Sequence, residues 1–260
     1  MVKPNWVRGS LPLQKNRLTR FVMLNDVHVP DNVPLNKIFD FIKQFKPDYV
    51  LLVGDIVNND PFDRWRLALP GKAKEVPDPE PYFEECNDIL FVPLRAAVPK
   101  AKFIYWIGNH EYWSTKARET TGVGGELFEV WNHVDGIDGW VKRFGFANCG
   151  RLHFCHGDIV KNLPKHHARK VVDMMRRDVR YGHFHDIQEA SFNSPTDKRE
   201  LFTARACGTL QNFNPDFMQN RPHDWQHAFT YGYVHPNGKF HDATVRIIGG
   251  QFIAAGEAFE

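Results

Sequence analysis

Five short apolar runs in this 260-residue chain each stop at a polar residue drawn from the same small set. "RFVMLND" (20–26) stops at Asp26, with His28 just beyond, and "YVLLVGD" (49–55) stops at Asp55. "KFIYWIGN" (102–109) ends in Asn109, followed at once by His110 and Glu111. "RLHFCHGD" (151–158) reaches His156, and "VRYGHFH" (179–185) reaches His183 and His185. Runs this short, apolar and free of polar alternation read as strands buried in a covered sheet. That limits the fold to sheets enclosed by other layers, and leaves the repeated polar stop to be explained.

Helical spacing appears between the runs. "PLNKIFDFIKQF" (34–45) places Leu35, Ile38, Phe39, Ile42 and Phe45 on one face, with Pro34 suited to the first turn. Residues 20–55 therefore read as strand, helix, strand, a parallel α/β unit. "YFEECNDILFVPLRAAV" (82–98) predicts a further helix, kinked or divided at Pro93. A helix is also expected around "GELFEVWNHV", within the Gly-rich stretch 112–140. Another is expected over 164–178, with His166 and His167 on its exposed face. "ELFTARACG", "HAFTYGYVH" and "ATVRIIGGQFI" have β character. The expected organisation is a basic, irregular lead-in over 1–19 and a single domain over 20–260. That domain carries a Pro-rich, charged insertion around 60–81.

Composition closes off several classes. With 42% hydrophobic and 25% charged residues the chain can bury a sizeable core, so global disorder is excluded. A formal charge of +2 neither requires nor excludes an anionic partner. No run approaches the ~18 apolar residues needed to cross a bilayer, so no membrane association is expected. The N-terminus has no apolar core of signal-peptide length. Cys86, Cys149, Cys155 and Cys207 form no Cys-x-x-Cys pair. They read as structural, reduced thiols of a cytoplasmic protein.

In an α/β sheet the ends of parallel strands form the crevice where ligands bind, so five strands here deliver Asp, Asn and His to one place. Aspartates and histidines with one amide oxygen suit first-row divalent metals such as Mn, Fe, Zn or Ni. Seven candidates (Asp26, His28, Asp55, Asn109, His156, His183 and His185) exceed one tetrahedral ion but suit two ions sharing a carboxylate. Two metals ~3.5–4 Å apart can clamp a phosphoryl group and activate water for in-line attack on phosphorus. The expected cofactor is therefore a pair of divalent ions, with Mn2+ the first choice.

These motifs resemble those of the calcineurin-like metallophosphoesterases: Asp26-x-His28, Gly54-Asp55, Gly108-Asn109-His110-Glu111, His156-Gly157 and Gly182-His183-x-His185. The wording "DVHVPD", "KPDYVLLVGDIV" and "GNHE" looks most like bacterial and phage-encoded members. The resemblance runs from about Arg20 to His185 and implies an α/β fold: a four-layer α/β/β/α sandwich of two mixed sheets. It implies one metal on Asp26, His28 and His185, a second on Asn109, His156 and His183, and Asp55 bridging both. His110 would protonate the leaving group or hold the phosphate, work that an imidazole titrating near neutral pH can do. Glu111 would either orient His110 or cap the following turn.

The chain departs from the family's protein phosphatases, which follow the bridging Asp with an Arg-containing "DRG". Here "IVNNDPFDRW" follows, and Arg64 lies further on. Tyr112 and Trp113 stand after "GNHE", where similar enzymes often place an arginine. Candidate substrate contacts are therefore Asn109, His110, Arg64, Tyr112 and Trp113. Aromatics interleaved with Arg66, Lys116 and Arg118 could stack on bases while cations hold phosphates. Packing of the tryptophans against the core is the competing reading. The expected substrate is a phosphate ester, as a nucleotide or in nucleic acid. The expected activity is phosphodiester hydrolysis by a nuclease or nucleotide phosphodiesterase. The alternatives are a phosphomonoesterase and an inactive metal-binding scaffold.

Overall fold

A computed structural model describes the chain except for residues 1–2, 64–77, 122–128, 161–164 and 198–200. Two six-stranded mixed sheets face each other. The first has the order β12-β11-β2-β3-β4-β5, built from β2 (Thr19–Leu24), β3 (Tyr49–Val53), β4 (Lys102–Trp106), β5 (Gly139–Val141), β11 (Ala228–Val234) and β12 (Phe240–Arg246). Its members β2, β3, β4 and β5 pair in parallel. The second has the order β1-β6-β7-β8-β10-β9, from β1 (Gly9–Leu11), β6 (Ala147–Cys149), β7 (Leu152–Cys155), β8 (Asp178–Tyr181), β9 (Ile187–Asn193) and β10 (Leu201–Cys207). A hairpin of β13 (Phe252–Ala254) and β14 (Glu257–Phe259) follows.

Strand alternation explains the apolar runs. Phe21, Met23, Leu51, Val53, Ile104 and Trp106 turn inward and meet Leu152, Phe154 and Cys207 of the other sheet. Their neighbours Val22, Leu24, Val50, Leu52, Phe103 and Tyr105 turn outward under helices. One outer helix is α1 (Asn36–Phe45), which buries Ile38, Ile42 and Phe45 as expected, but Phe41 instead of the expected Phe39, which is only partly buried. Beside it α2 (Glu80–Cys86) runs through a π segment (Asn87–Phe91) into α3 (Val92–Ala97). Pro93, expected to kink or divide this helix, follows that π turn, which absorbs the ladder bond the proline cannot donate. On the far side α5 (His167–Met175) buries Ala168, Val171 and Val172 against Val179, Tyr181, Ala204 and Ala206. The result is the four-layer α/β/β/α sandwich.

Three local expectations differ from the structure. The lead-in expected to be irregular contains β1, an edge strand pairing in parallel with β6 and burying Leu11. A helix α4 (Tyr112–Thr121) follows "GNHE" directly, whereas the helix expected around 125–134 is a 3-10 turn at Val130–Asn132, with 125–128 outside the described residues. His167 is not on a solvent face. It is fully buried, bonded through Nδ1 to the Tyr181 hydroxyl (2.7 Å) and through Nε2 to Asp186 (3.0 Å), and stacked on Phe184 at 3.9 Å. The insertion expected at 60–81 lies mostly outside the described residues. All four cysteines are buried and free, and burial pushes the Cys86 and Cys149 thiols up to about 12. Among the described residues no helix is long and apolar enough to cross a membrane.

Candidate metal centre

The loops that leave the C-terminal ends of β2, β3 and β4 in one sheet, and of β7 and β8 in the other, meet at a shared rim. Five of the seven candidate ligands have left-handed backbone there: Asp26 (φ 47°), His28 (54°), Asp55 (50°), His183 (73°) and His185 (64°). Such geometry costs roughly 1–3 kcal/mol per non-glycine residue and concentrates where function over-determines the backbone. Close packing supports it. A Cβ on Gly108 would stand 2.3 Å from Asp55 Oδ1, and one on Gly54 would stand 2.4 Å from His156 Nδ1. Gly108 is thus required by space against Asp55.

Donor atoms converge in three overlapping groups: Asp26, His28 and His185; His28, Asp55 and His110; Asp55, His156 and His183. Asn109 joins the last, its Oδ1 3.1 Å from His156 Nε2. Hydrogen bonds fix which nitrogens present lone pairs. The Asn58 amide donates to Asp31 and Asp60, so its Oδ1 must accept from His28 Nδ1 at 3.2 Å. His28 Nε2 is therefore a lone pair, and it stands 3.3 Å from His185 Nε2. His156 Nδ1 faces the Val53 carbonyl at 3.2 Å, which can only accept. Its Nε2 then turns toward two more acceptors, Asn109 Oδ1 and Asp55 Oδ2 (3.2 Å).

Electrostatics divide the histidines. Burial, with His110 and His185 adding to it, holds the His28 imidazole well below its ordinary value. Burial and His156 lower His183 to about 4. Both are neutral at neutral pH, as ligation requires. Burial opposes charging of His156, but Asp55 outweighs it and raises the imidazole to about 10. Burial opposes ionisation of Asp26 and Asp55 too, and the facing histidines still hold both carboxylates below their usual range, Asp55 far below. His185 Nδ1 is buried with no hydrogen-bond partner among the described residues, a nitrogen donor that a bound cation would satisfy. The nitrogen and oxygen donors fit first-row divalent ions.

Glu111 does neither of the things expected of it. Its buried carboxylate accepts backbone N–H bonds from Asp55 (3.0 Å) and Gly108 (2.8 Å) on Oε2, and from Ile56 (2.8 Å) and Val57 (3.3 Å) on Oε1. The Tyr105 hydroxyl donates to Oε1 at 2.7 Å. Glu111 is thus the fastening of the loop that carries Asp55. His110 is held separately: its backbone N–H donates to Asp55 Oδ1 (2.9 Å), Nδ1–H donates to the Asn58 carbonyl (2.9 Å), and the ring packs on Trp113 at 4.0 Å. Nε2 is the nitrogen left to exchange a proton.

Of the other candidate contacts, Trp113 covers His110, and Tyr112 lies under the Arg143 guanidinium at 4.5 Å. Arg64 and Arg66 lie outside the described residues, as does the Arg118 side chain. Lys116 is exposed and 3.3 Å from Glu119. Sequence reasoning missed Asn58, which orients both His28 and His110, and Trp225, whose ring meets His185 at 4.4 Å. Asn58 could have been found by its place three residues after Asp55. Nothing local to Trp225 announces its partner.

Among curated proteins none matches the chain. Solved structures similar to it include Vps29 from Entamoeba histolytica complexed with Zn2+ (12% identity, TM-score 0.46, covering 93% of this chain and 100% of that one). A dimetal phosphatase from Danio rerio is also similar (11% identity, TM-score 0.43, covering 88% and 99%). At such identities neither name carries over. The sequence model of the calcineurin-like phosphoesterases, in contrast, matches residues 19–243, which take in every converging side chain described above. On that match the chain belongs to the calcineurin-like phosphoesterase family.

Proposed function

We propose that the chain is a dinuclear-metal phosphodiesterase acting on nucleotide or nucleic-acid phosphate esters. Asp26, His28 and His185 would hold one ion, and Asn109, His156 and His183 the other. Asp55 would be shared between them. When bound, divalent ions supply Lewis-acid polarisation of phosphoryl oxygens and lower the pKa of water. The protein's own part is positional. Glu111 fixes the Asp55 loop, Asn58 sets the tautomers of His28 and His110, and His110 gives a proton to the departing oxygen.

One observation carries the diester reading. With Nδ1 committed to the Asn58 carbonyl, the His110 ring also offers a nitrogen to the donor group of His28 and Asp55. A fixed imidazole beside the reacting centre is a general acid, and an alkoxide leaving a diester needs one. A first test compares bis-p-nitrophenyl phosphate with p-nitrophenyl phosphate, with Mn2+, Ni2+ or Mg2+ supplied in turn. The diester should be hydrolysed faster with Mn2+. Strong preference for the monoester would sink the diesterase reading in favour of a phosphomonoesterase.

A further inference from the structure

The rings around the site form a row with a tryptophan at each end. Trp113 packs on His110 (4.0 Å), His110 on His28 (4.5 Å), His28 on His185 (5.1 Å) and His185 on Trp225 (4.4 Å). Trp225 belongs to the segment 212–227, whose two ends are tied to the site. Gln211 N–H donates to the Asp26 carbonyl (3.1 Å), Asn212 N–H to Asp31 (2.7 Å), and Gln226 N–H to the His185 carbonyl (2.8 Å). The aromatic character continues outward along this segment. His223 lies 4.8 Å from Trp225, with its Nε2 bonded to the Phe213 carbonyl (2.9 Å), and Phe213 stacks on His227 at 3.5 Å. Phe217, 6.3 Å from Trp225, is 58% exposed.

The exposed Phe217 ring adds little to folding, and with the half-buried Trp225 ring beside His185 it can cover a flat ligand. Position selects which part of the substrate it covers. The departing oxygen must lie by His110, at the Trp113 end. The substituent kept on phosphorus is free to run to the opposite end, over His185. We infer that Trp225, flanked by Phe217 and His223, is a stacking subsite for a planar nucleobase on the retained side of a nucleoside phosphodiester. This rests on the diesterase reading and narrows it to substrates that bear a base there. Stacking on an aromatic face tolerates any base, so the preference is for a nucleoside and not for one sequence.

The test holds the leaving group constant and varies the retained one. The p-nitrophenyl ester of thymidine 5′-monophosphate is compared with methyl p-nitrophenyl phosphate, using Mn2+-loaded wild type, Trp225→Ala and Trp225→Phe. The quantity read is the ratio of kcat/KM for the two esters. Wild type should favour the thymidine ester, Trp225→Ala should lower that ratio about tenfold or more, and Trp225→Phe should restore most of it. An unchanged ratio in Trp225→Ala overturns the proposal even if both rates fall, because a merely structural role would depress both alike. Should wild type hydrolyse neither ester, the diesterase reading fails. The subsite is then decided by calorimetric titration of the Mn2+-loaded proteins with thymidine 5′-monophosphate. Weaker binding by Trp225→Ala, regained in Trp225→Phe, upholds it. Equal binding, or none by wild type, overturns it.

Discussion

Glu111→Gln removes one charge and almost no volume, so its effect isolates the fastening of the Asp55 loop. Glutamine offers one oxygen and one NH2 group where the glutamate offers two oxygens. If the NH2 takes the Oε2 position it faces the N–H groups of Asp55 and Gly108, and if it takes Oε1 it faces those of Ile56 and Val57. In either orientation two buried donors lose their acceptor. At about 1–3 kcal/mol for each unsatisfied group, the cost is about 2–6 kcal/mol. That is a large share of the stability of a typical domain, about 5–15 kcal/mol. Three of the four donors lie on the loop just after β3, so the cost falls where Asp55 is held at φ 50°. With fewer bonds to sustain it, that conformation relaxes and takes the carboxylate away from its neighbours. Urea unfolding of EDTA-stripped protein should read the stability loss, and calorimetric titration with Mn2+ should show weakened affinity. A Glu111→Gln protein within about 0.5 kcal/mol of wild type, with unchanged Mn2+ affinity, would refute the reasoning.

Three other perturbations separate the roles of neighbouring groups. Asp55→Asn should weaken Mn2+ binding at both subsites in the same titration, and loss confined to one subsite would show that Asp55 is not shared. His110→Ala should keep its Mn2+ and lose about 10²–10⁴-fold in kcat, most with poor leaving groups. Loss of metal instead would make His110 a ligand. Asp242 is a control away from the chemistry: it joins Arg180 of β8 (2.6 Å) and Arg205 of β10 (2.9 Å) to β12 of the other sheet, and it is 4% exposed. Asp242→Ala leaves Arg180 buried and uncompensated, so urea unfolding should show about 3–5 kcal/mol of lost stability. A loss under about 1 kcal/mol would mean the pair is replaceable by water.

The amino-acid sequence by itself determined the covered sheets and the side chains that converge at their rim. Runs such as "YVLLVGD" are apolar throughout because both strand faces are buried, and the polar stop marks the sheet's edge. Local order alone therefore named Asp26, His28, Asp55, Asn109, His110, His156, His183 and His185. Periodicity gave α1 for the same reason, since Ile38, Phe41, Ile42 and Phe45 share one buried stripe. It could not give α4, whose "YWSTKARETT" has no such stripe and begins directly after "GNHE". Tertiary structure decided the groups that act across long sequence separations. Glu111 stands 56 residues from Asp55, yet it fastens that loop. His167 carries nothing in its local sequence to mark it as buried, because its partners Tyr181 and Asp186 come from β8 and the turn beyond it. Trp225 reaches His185 only because the 212–227 segment is tied at both ends to the rim. A hydrogen bond or a ring contact between distant segments leaves no period in the chain, and only the packed fold brings its two halves together.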